Sequence, residues 1–201
     1  MKLKTKDMVV AAFFTALVLM MTFVPNIGYI PTPWLKITMV HVPVVIVGIV
    51  YGPRFGGFLG FVFGLSSLIS NTMNPSILSF VFTPFYMVGD FGGKWYSLVI
   101  CFVPRILSGV VPAWVAASLK KRPRIATVTG AVAGSLTNTI LVLGMIFLFY
   151  KDAFAAAKGL SGTAVLSALG TVVLINGIPE AVVAGLLALG IVPVLRMMKS
   201  R

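Results

Sequence analysis

Acidic residues are nearly absent: four Asp and Glu stand against sixteen Lys and Arg in 201 residues, with one histidine and one cysteine. A set this small supports neither a metal cluster nor a catalytic triad, so the chain reads as a non-enzyme without a metal or cofactor of its own. Cys101, alone, rules out an internal disulfide and a multi-cysteine metal site. The Gly-x-x-x-x-Gly-Lys-[Ser/Thr] loop that cradles nucleotide phosphates is missing too, which excludes ATP hydrolysis by the common P-loop route. Energy for any transport must come from a gradient or from a partner.

Apolar residues are what the chain has in abundance. They make up 59% of it, with a mean hydropathy of +1.06, against roughly 45–50% in soluble domains. Runs lie at 9–24, 37–51, 55–70, 95–119, 125–150 and 171–195, divided by segments rich in Pro, Gly, Asn and basic residues. A crossing needs about 20 residues, so this length holds about six spans and no sizeable soluble domain. We read residues 1–201 as a single all-α polytopic membrane domain of six transmembrane helices with structured outward loops. The shorter runs should be buried against neighbours or begin in structured loops. Met1-Lys2-Leu3-Lys4 before an apolar run resembles a signal peptide, but no convincing cleavage site follows, and the run reads as a retained first helix.

The net charge of +12 would suggest nucleic acid only on a soluble basic face; here the charges flank hydrophobic runs. Lys2, Lys4, Lys6, Arg54, Lys120, Lys121, Arg122, Arg124, Arg196, Lys199 and Arg201 fall on one side of the bilayer, and Lys36, Lys94, Lys151 and Lys158 on the other. Basic residues stay cytoplasmic, so both termini are expected there. A seventh apolar stretch, 77–89, is short, contains Pro84 and would separate the two basic termini, so it is expected to be an outward loop dipping into the bilayer. The run 163–195 exceeds one crossing and carries Gly170, Gly177 and Pro179; a break and one long tilted helix are both open. Small residues recur every fourth position at Ala12 and Ala16, at Gly56, Gly60 and Gly64, at Gly130 and Gly134, and at Gly177, Ala181 and Gly185, the spacing that lets helices pack closely in lipid. No internal repeat argues for an inverted-repeat carrier.

Arg105 and Glu180 lie within apolar runs, where an unpaired charge costs about 2.5–3.5 kcal/mol or more, so each should face the bundle interior. They either pair with each other or with backbone and lock two helices together, or Arg105 holds a polar or anionic ligand while Glu180 orients Arg105 or accepts a ligand hydroxyl. Asn71, Thr72, Asn74, Ser76 and Ser79 cluster near Phe80, Phe82, Phe85 and Tyr86; aimed polar groups among aromatic walls have the composition of a small-ligand pocket, and also of a capped loop. Asn138 and Asn176 sit in or near the fifth and sixth helices, where a buried amide must find a partner, in a ligand or a neighbouring helix. His41 opens the second span, more often an interfacial or satisfied histidine than a ligand. Trp34, Trp95 and Tyr96 suit interfacial anchoring.

Four stretches together resemble the substrate-binding S components of energy-coupling-factor (ECF) vitamin transporters, over most of the chain. They are Ala12-Phe-Phe-Thr-Ala16, Gly52-Pro-Arg-Phe-Gly56-Gly-Phe-Leu-Gly60-Phe-Val-Phe-Gly64, Asn74-Pro75 with Ser79-Phe80, and Asn176-Gly-Ile-Pro-Glu180-Ala. The resemblance implies a multi-pass prokaryotic plasma-membrane protein that binds a vitamin from outside and delivers it inward. It also implies a transmembrane coupling subunit, packed on Ala12 and Ala16, and two cytoplasmic ATPases that use the ATP. The Asn74 to Phe80 region looks most like pantothenate-type members, and Arg105 suits a carboxylate. Pyridoxine and hydroxymethylpyrimidine stay open, since aromatic walls and amides suit a planar ring equally. A stand-alone secondary carrier is the alternative of another class.

Overall fold

The computed structural model describes residues 5–24, 27–30, 37–89, 91–160 and 164–200. Lys2, Lys4, Trp34, Lys36 and Arg201, used above for charge and anchoring, lie outside the described residues.

Helix α1, Thr5–Phe23, buries only Phe14, Val18 and Thr22. This stripe of fourth residues suffices because the rest of the helix can remain apolar and face lipid. Thr22 Oγ1 donates to Val18 O at 2.8 Å and lies 3.0 Å from Ser66 Oγ, tying α1 to the helix that carries Ser66. A two-residue antiparallel pair follows, β1 (Tyr29–Ile30) with β2 (Ile37–Thr38), in register Tyr29 to Thr38. Helix α2 is only His41–Tyr51, and His41 through Val50 are all buried. At 1.5 Å per residue it rises about 16 Å, half a bilayer core. Its β-branched Val and Ile residues would favour a strand in water; buried within an apolar bundle, a helix satisfies their backbone groups internally. The short run thus begins in a structured loop and packs on all sides, as expected of it.

Gly52, at φ 94°, reverses the chain, and Pro53 opens α3, Pro53–Met73. Three backbones then nearly touch. A Cβ on Gly48 of α2 would sit 2.2 Å from Gly109 O, one on Gly56 2.1 Å from the same oxygen, and one on Gly60 2.3 Å from Arg105 O. The glycine stripe of α3 therefore seats helix α4, Trp95–Ser118. Between α3 and α4 the apolar stretch 77–89 does not cross the membrane. It forms a short 3₁₀ turn, Ser79–Val81, and then β3 (Met87–Val88), which pairs with β4 (Phe91–Gly92). Leu78, Phe80 and Val81 are buried against Ile100, Ile146 and Tyr150.

Helix α5, Pro123–Lys158, kinks at Tyr150 (φ −131°, ψ 19°), where the sequence places the end of its span. The last crossing is a helix with an internal π turn: α6 (Ala164–Val172), a π segment (Val173–Gly177) and α7 (Ile178–Ser200). It begins seven residues before the expected start at 171. Among the described residues five segments are long and apolar enough to cross a membrane, and the buried α2 completes six. With directions alternating, the start of α1, the end of α7, the α2–α3 turn and the α4–α5 turn share one end of the bundle. The β1–β2 and β3–β4 hairpins occupy the other.

Candidate ligand site

Pro104 has no N–H, so the carbonyl of Ile100, one turn earlier, lacks its helical donor. The guanidinium of the next residue fills that vacancy: Arg105 Nη1 donates to Ile100 O at 2.7 Å. The side chain is 6% exposed and lies between two rings, 4.8 Å from the centroid of Phe82 and 5.6 Å from that of Phe63. Its Nε is buried without a hydrogen-bond partner among the described residues. One edge of the guanidinium is thus fixed by the helix, leaving donors for something else.

Across the bundle, Pro179 likewise offers no N–H, and the π turn lies just before it. Asn176 and Glu180, four residues apart, share a helical face. Glu180 Oε1 accepts the backbone N–H of Thr38 from the β1–β2 hairpin at 2.6 Å, which leaves its other oxygen for another donor. Asn138 and Thr139 reach the same space from α5, and the Asn138 Oδ1 is buried without a partner among the described residues. Thr139 also fixes the spacing of α5 and the last helix, since a Cβ on Gly177 would sit 2.9 Å from its Cγ2.

These side chains line one cavity. Arg105, Glu180, Asn138, Asn176 and Thr139 supply its polar groups, Val142, Leu143 and Val172 an apolar wall, and Thr38 and Phe82 the parts contributed by loops. About 60 Å³ is open to the centres of water-sized molecules, room for ordered water but less than a drug-sized ligand occupies. Arg105 and Glu180 share the cavity but form no ion pair among the described residues. The arrangement offers a cation with spare donors, a carboxylate, two amides and a methyl-lined wall. It suits an elongated small molecule with an anionic end, hydroxyls or amides, and a branched apolar part.

The other residues singled out from the sequence lie elsewhere. Asn71 donates to Ser67 O at 2.8 Å and accepts from Ser79 Oγ at 2.9 Å, and Ser79 Oγ also accepts the Ser76 N–H at 2.8 Å. This cluster, with Thr72 and Thr83 at 2.7 Å, ties the end of α3 to the following turn, its groups satisfying one another. Asn74 is exposed at the end of α3, and Phe80 is fully buried against Tyr150, ring centroids 5.4 Å apart. His41, fully buried, has its Nδ1 2.6 Å from Thr38 O, so it steadies the hairpin residue that Glu180 also holds, without lining the cavity. Ala12 and Ala16 are exposed on α1. Thr38 and Thr139 were missed. Thr139 follows a residue already singled out, whereas Thr38 engages Glu180 through its backbone, which leaves no trace in residue type.

A six-helix membrane bundle enclosing a buried, charged, small cavity is the anatomy of an intramembrane solute-binding protein. The family model described as ECF transporter, substrate-specific component, matches residues 6–195, and the chain belongs to that family. It is therefore a multi-pass membrane protein and a transporter subunit, not an enzyme. It is 35% identical over 199 residues to the pantothenic acid transporter PanT of Lactococcus lactis subsp. cremoris, covering 96% of this chain and 95% of that one. It is 33% identical over 114 residues to the pantothenate transporter PanT of Leuconostoc mesenteroides subsp. mesenteroides, covering 54% of this chain and 49% of that one.

Proposed function

We propose that this chain captures pantothenate and passes it to the cell interior. The observation that carries this reading is Arg105, a buried guanidinium anchored at one edge and open at the other, in the same cavity as Glu180, Asn138 and Asn176. Pantothenate has a carboxylate, an amide, two hydroxyls and a gem-dimethyl group. The carboxylate pairs with Arg105, hydroxyls donate to Glu180 and Asn138, and the methyl groups lie on Val142, Leu143 and Val172. The similarity to two relatives bearing the PanT name supports the choice over pyridoxine or hydroxymethylpyrimidine. Phe82, just after the 3₁₀ turn, gives way to enlarge the cavity on binding.

Both termini are cytoplasmic in this reading, supported by the basic residues Arg54, Lys120, Lys121, Arg122, Arg124 and Arg196 at that end. Partner ATPases in the cytoplasm use the ATP, and a transmembrane coupling subunit docks on the exposed face of α1 bearing Ala12 and Ala16. The deciding experiment titrates the detergent-purified chain with pantothenate, pyridoxine and hydroxymethylpyrimidine in a calorimeter. Pantothenate is expected to bind most tightly, with Arg105→Ala weakening it by about 10- to 150-fold, as loss of a charge-assisted contact implies. Unaltered pantothenate affinity in Arg105→Ala would overturn the charge-recognition argument.

A further inference from the structure

The chain holds a second built cavity, at the hairpin end of the bundle and sharing no lining residue with the first. Its frame is the kink of α5. At Tyr150 the backbone leaves helical geometry, and the ring turns inward, where its hydroxyl accepts the Lys94 N–H at 2.9 Å and bonds to Ser97 Oγ. The start of α4 is thereby tied to the kink. A groove of about 290 Å³ opens between them. Tyr96 and Phe149 form a stacked wall, ring centroids 5.2 Å apart and 22° from parallel. Lys94 and Lys151 stand at its edges, each ammonium near an aromatic face, 5.8 Å from the Tyr96 centroid and 5.5 Å from the Phe147 centroid.

We propose that this groove binds the headgroup of an anionic phospholipid from the surrounding leaflet. Charge complementarity carries the choice of occupant. Among the described residues neither lysine pairs with a carboxylate and Asp152 is the one acid lining the groove, so two described cations face one described anion. A phosphate near the two ammonium groups fits that balance, attracted by both cations. Continuity with the lipid-facing surface supplies the rest. Leu148, lining the groove at 75% exposure, and Trp95 beside it, at 72%, offer an apolar track for acyl chains below the phosphate. A soluble anion would meet the same lysines but would leave those side chains in water.

The test measures retention of phosphatidylglycerol against phosphatidylcholine with identical chains by native mass spectrometry of the full-length protein, alongside pantothenate affinity. Wild type is expected to retain the anionic lipid about tenfold more strongly, and the K94Q/K151Q double variant to lose that preference while binding pantothenate as wild type does. Equal retention of both lipids by wild type, or an unchanged preference in the variant, would overturn the proposal. So would competition by glycerol phosphate as effective as by the lipid, which marks a site for free anions. Slower pantothenate association in the variant in phosphatidylcholine alone would also overturn it, making the lysines part of vitamin capture. The lipid comparison stands or falls whichever vitamin the central cavity takes.

Discussion

Asn138 shows what an unpaired polar atom costs and what it is for. Its Oδ1 is buried in the cavity without a partner among the described residues, a situation that takes about 1–3 kcal/mol from folding. Asn138→Ala removes that orphan along with a ligand contact. The variant is expected to unfold at the same or a slightly higher temperature than wild type while binding pantothenate at least about fivefold more weakly. Thermal unfolding and calorimetry on the same preparation check both halves; equal losses in stability and affinity would make the residue a packing element. Glu180 divides differently. Glu180→Gln keeps an oxygen for the Thr38 N–H but drops the charge, whereas Glu180→Ala drops both. If the carboxylate serves mainly to hold Thr38, the Gln variant binds ligand nearly as wild type and only the Ala variant fails. If it accepts ligand hydroxyls as an anion, both lose affinity, and we expect this second pattern, with the Ala variant the weaker.

At the scale of elements, the proline inside α4 acts on the site through a carbonyl. Pro104→Ala returns an N–H to Ile100 O, the group that anchors Arg105. The helix is expected to gain stability and the ligand to bind less tightly, as the guanidinium loses its fixed edge; a variant that binds as wild type would show that the cavity walls alone position Arg105. Glycine in α3 is a matter of backbone distance. Gly60→Ala puts a methyl 2.3 Å from Arg105 O, whereas Gly190→Ala meets nothing within 4 Å. The first is expected to lower the unfolding temperature by several degrees and weaken binding, the second to do neither, as differential scanning fluorimetry with and without pantothenate would show.

The spans were legible in the sequence because lipid imposes a length and a composition on them. Their ends were less so: α2 begins at His41 rather than 37, since residues 37–38 pair as a strand, and α6 starts early, at Ala164. The gathering of Arg105, Glu180, Asn138 and Asn176 in one cavity could be anticipated, as charges and amides are rare inside apolar runs. The cluster around Asn71 and Ser79 has a pocket's composition, yet its groups satisfy one another, and only coordinates separate the two cases.

Taken whole, the molecule binds but carries no recognisable P-loop for hydrolysing ATP, so capture and transport can be separated by mutation. Ala12 and Ala16 lie on the exposed face of α1, away from the cavity. Replacing both with Leu is expected to leave pantothenate affinity within about twofold of wild type while cutting ATP-driven uptake by the reconstituted complex tenfold or more, on the premise that close helix packing needs small residues. Parallel loss of affinity would place the stripe inside the fold.

The brevity of α2 has a consequence for how the protein is made. Eleven residues are too few for the insertion machinery to accept as a membrane span alone, and in the finished protein His41 through Val50 are shielded from lipid by their neighbours. During synthesis, α2 must therefore wait at the membrane surface until α3, emerging just after the Gly52–Pro53 turn, carries it in as a paired unit. A nascent chain ending at Tyr51 should leave α2 outside the bilayer and one ending past Met73 should not, so the deepest part of the bundle commits only together with the helix that follows it.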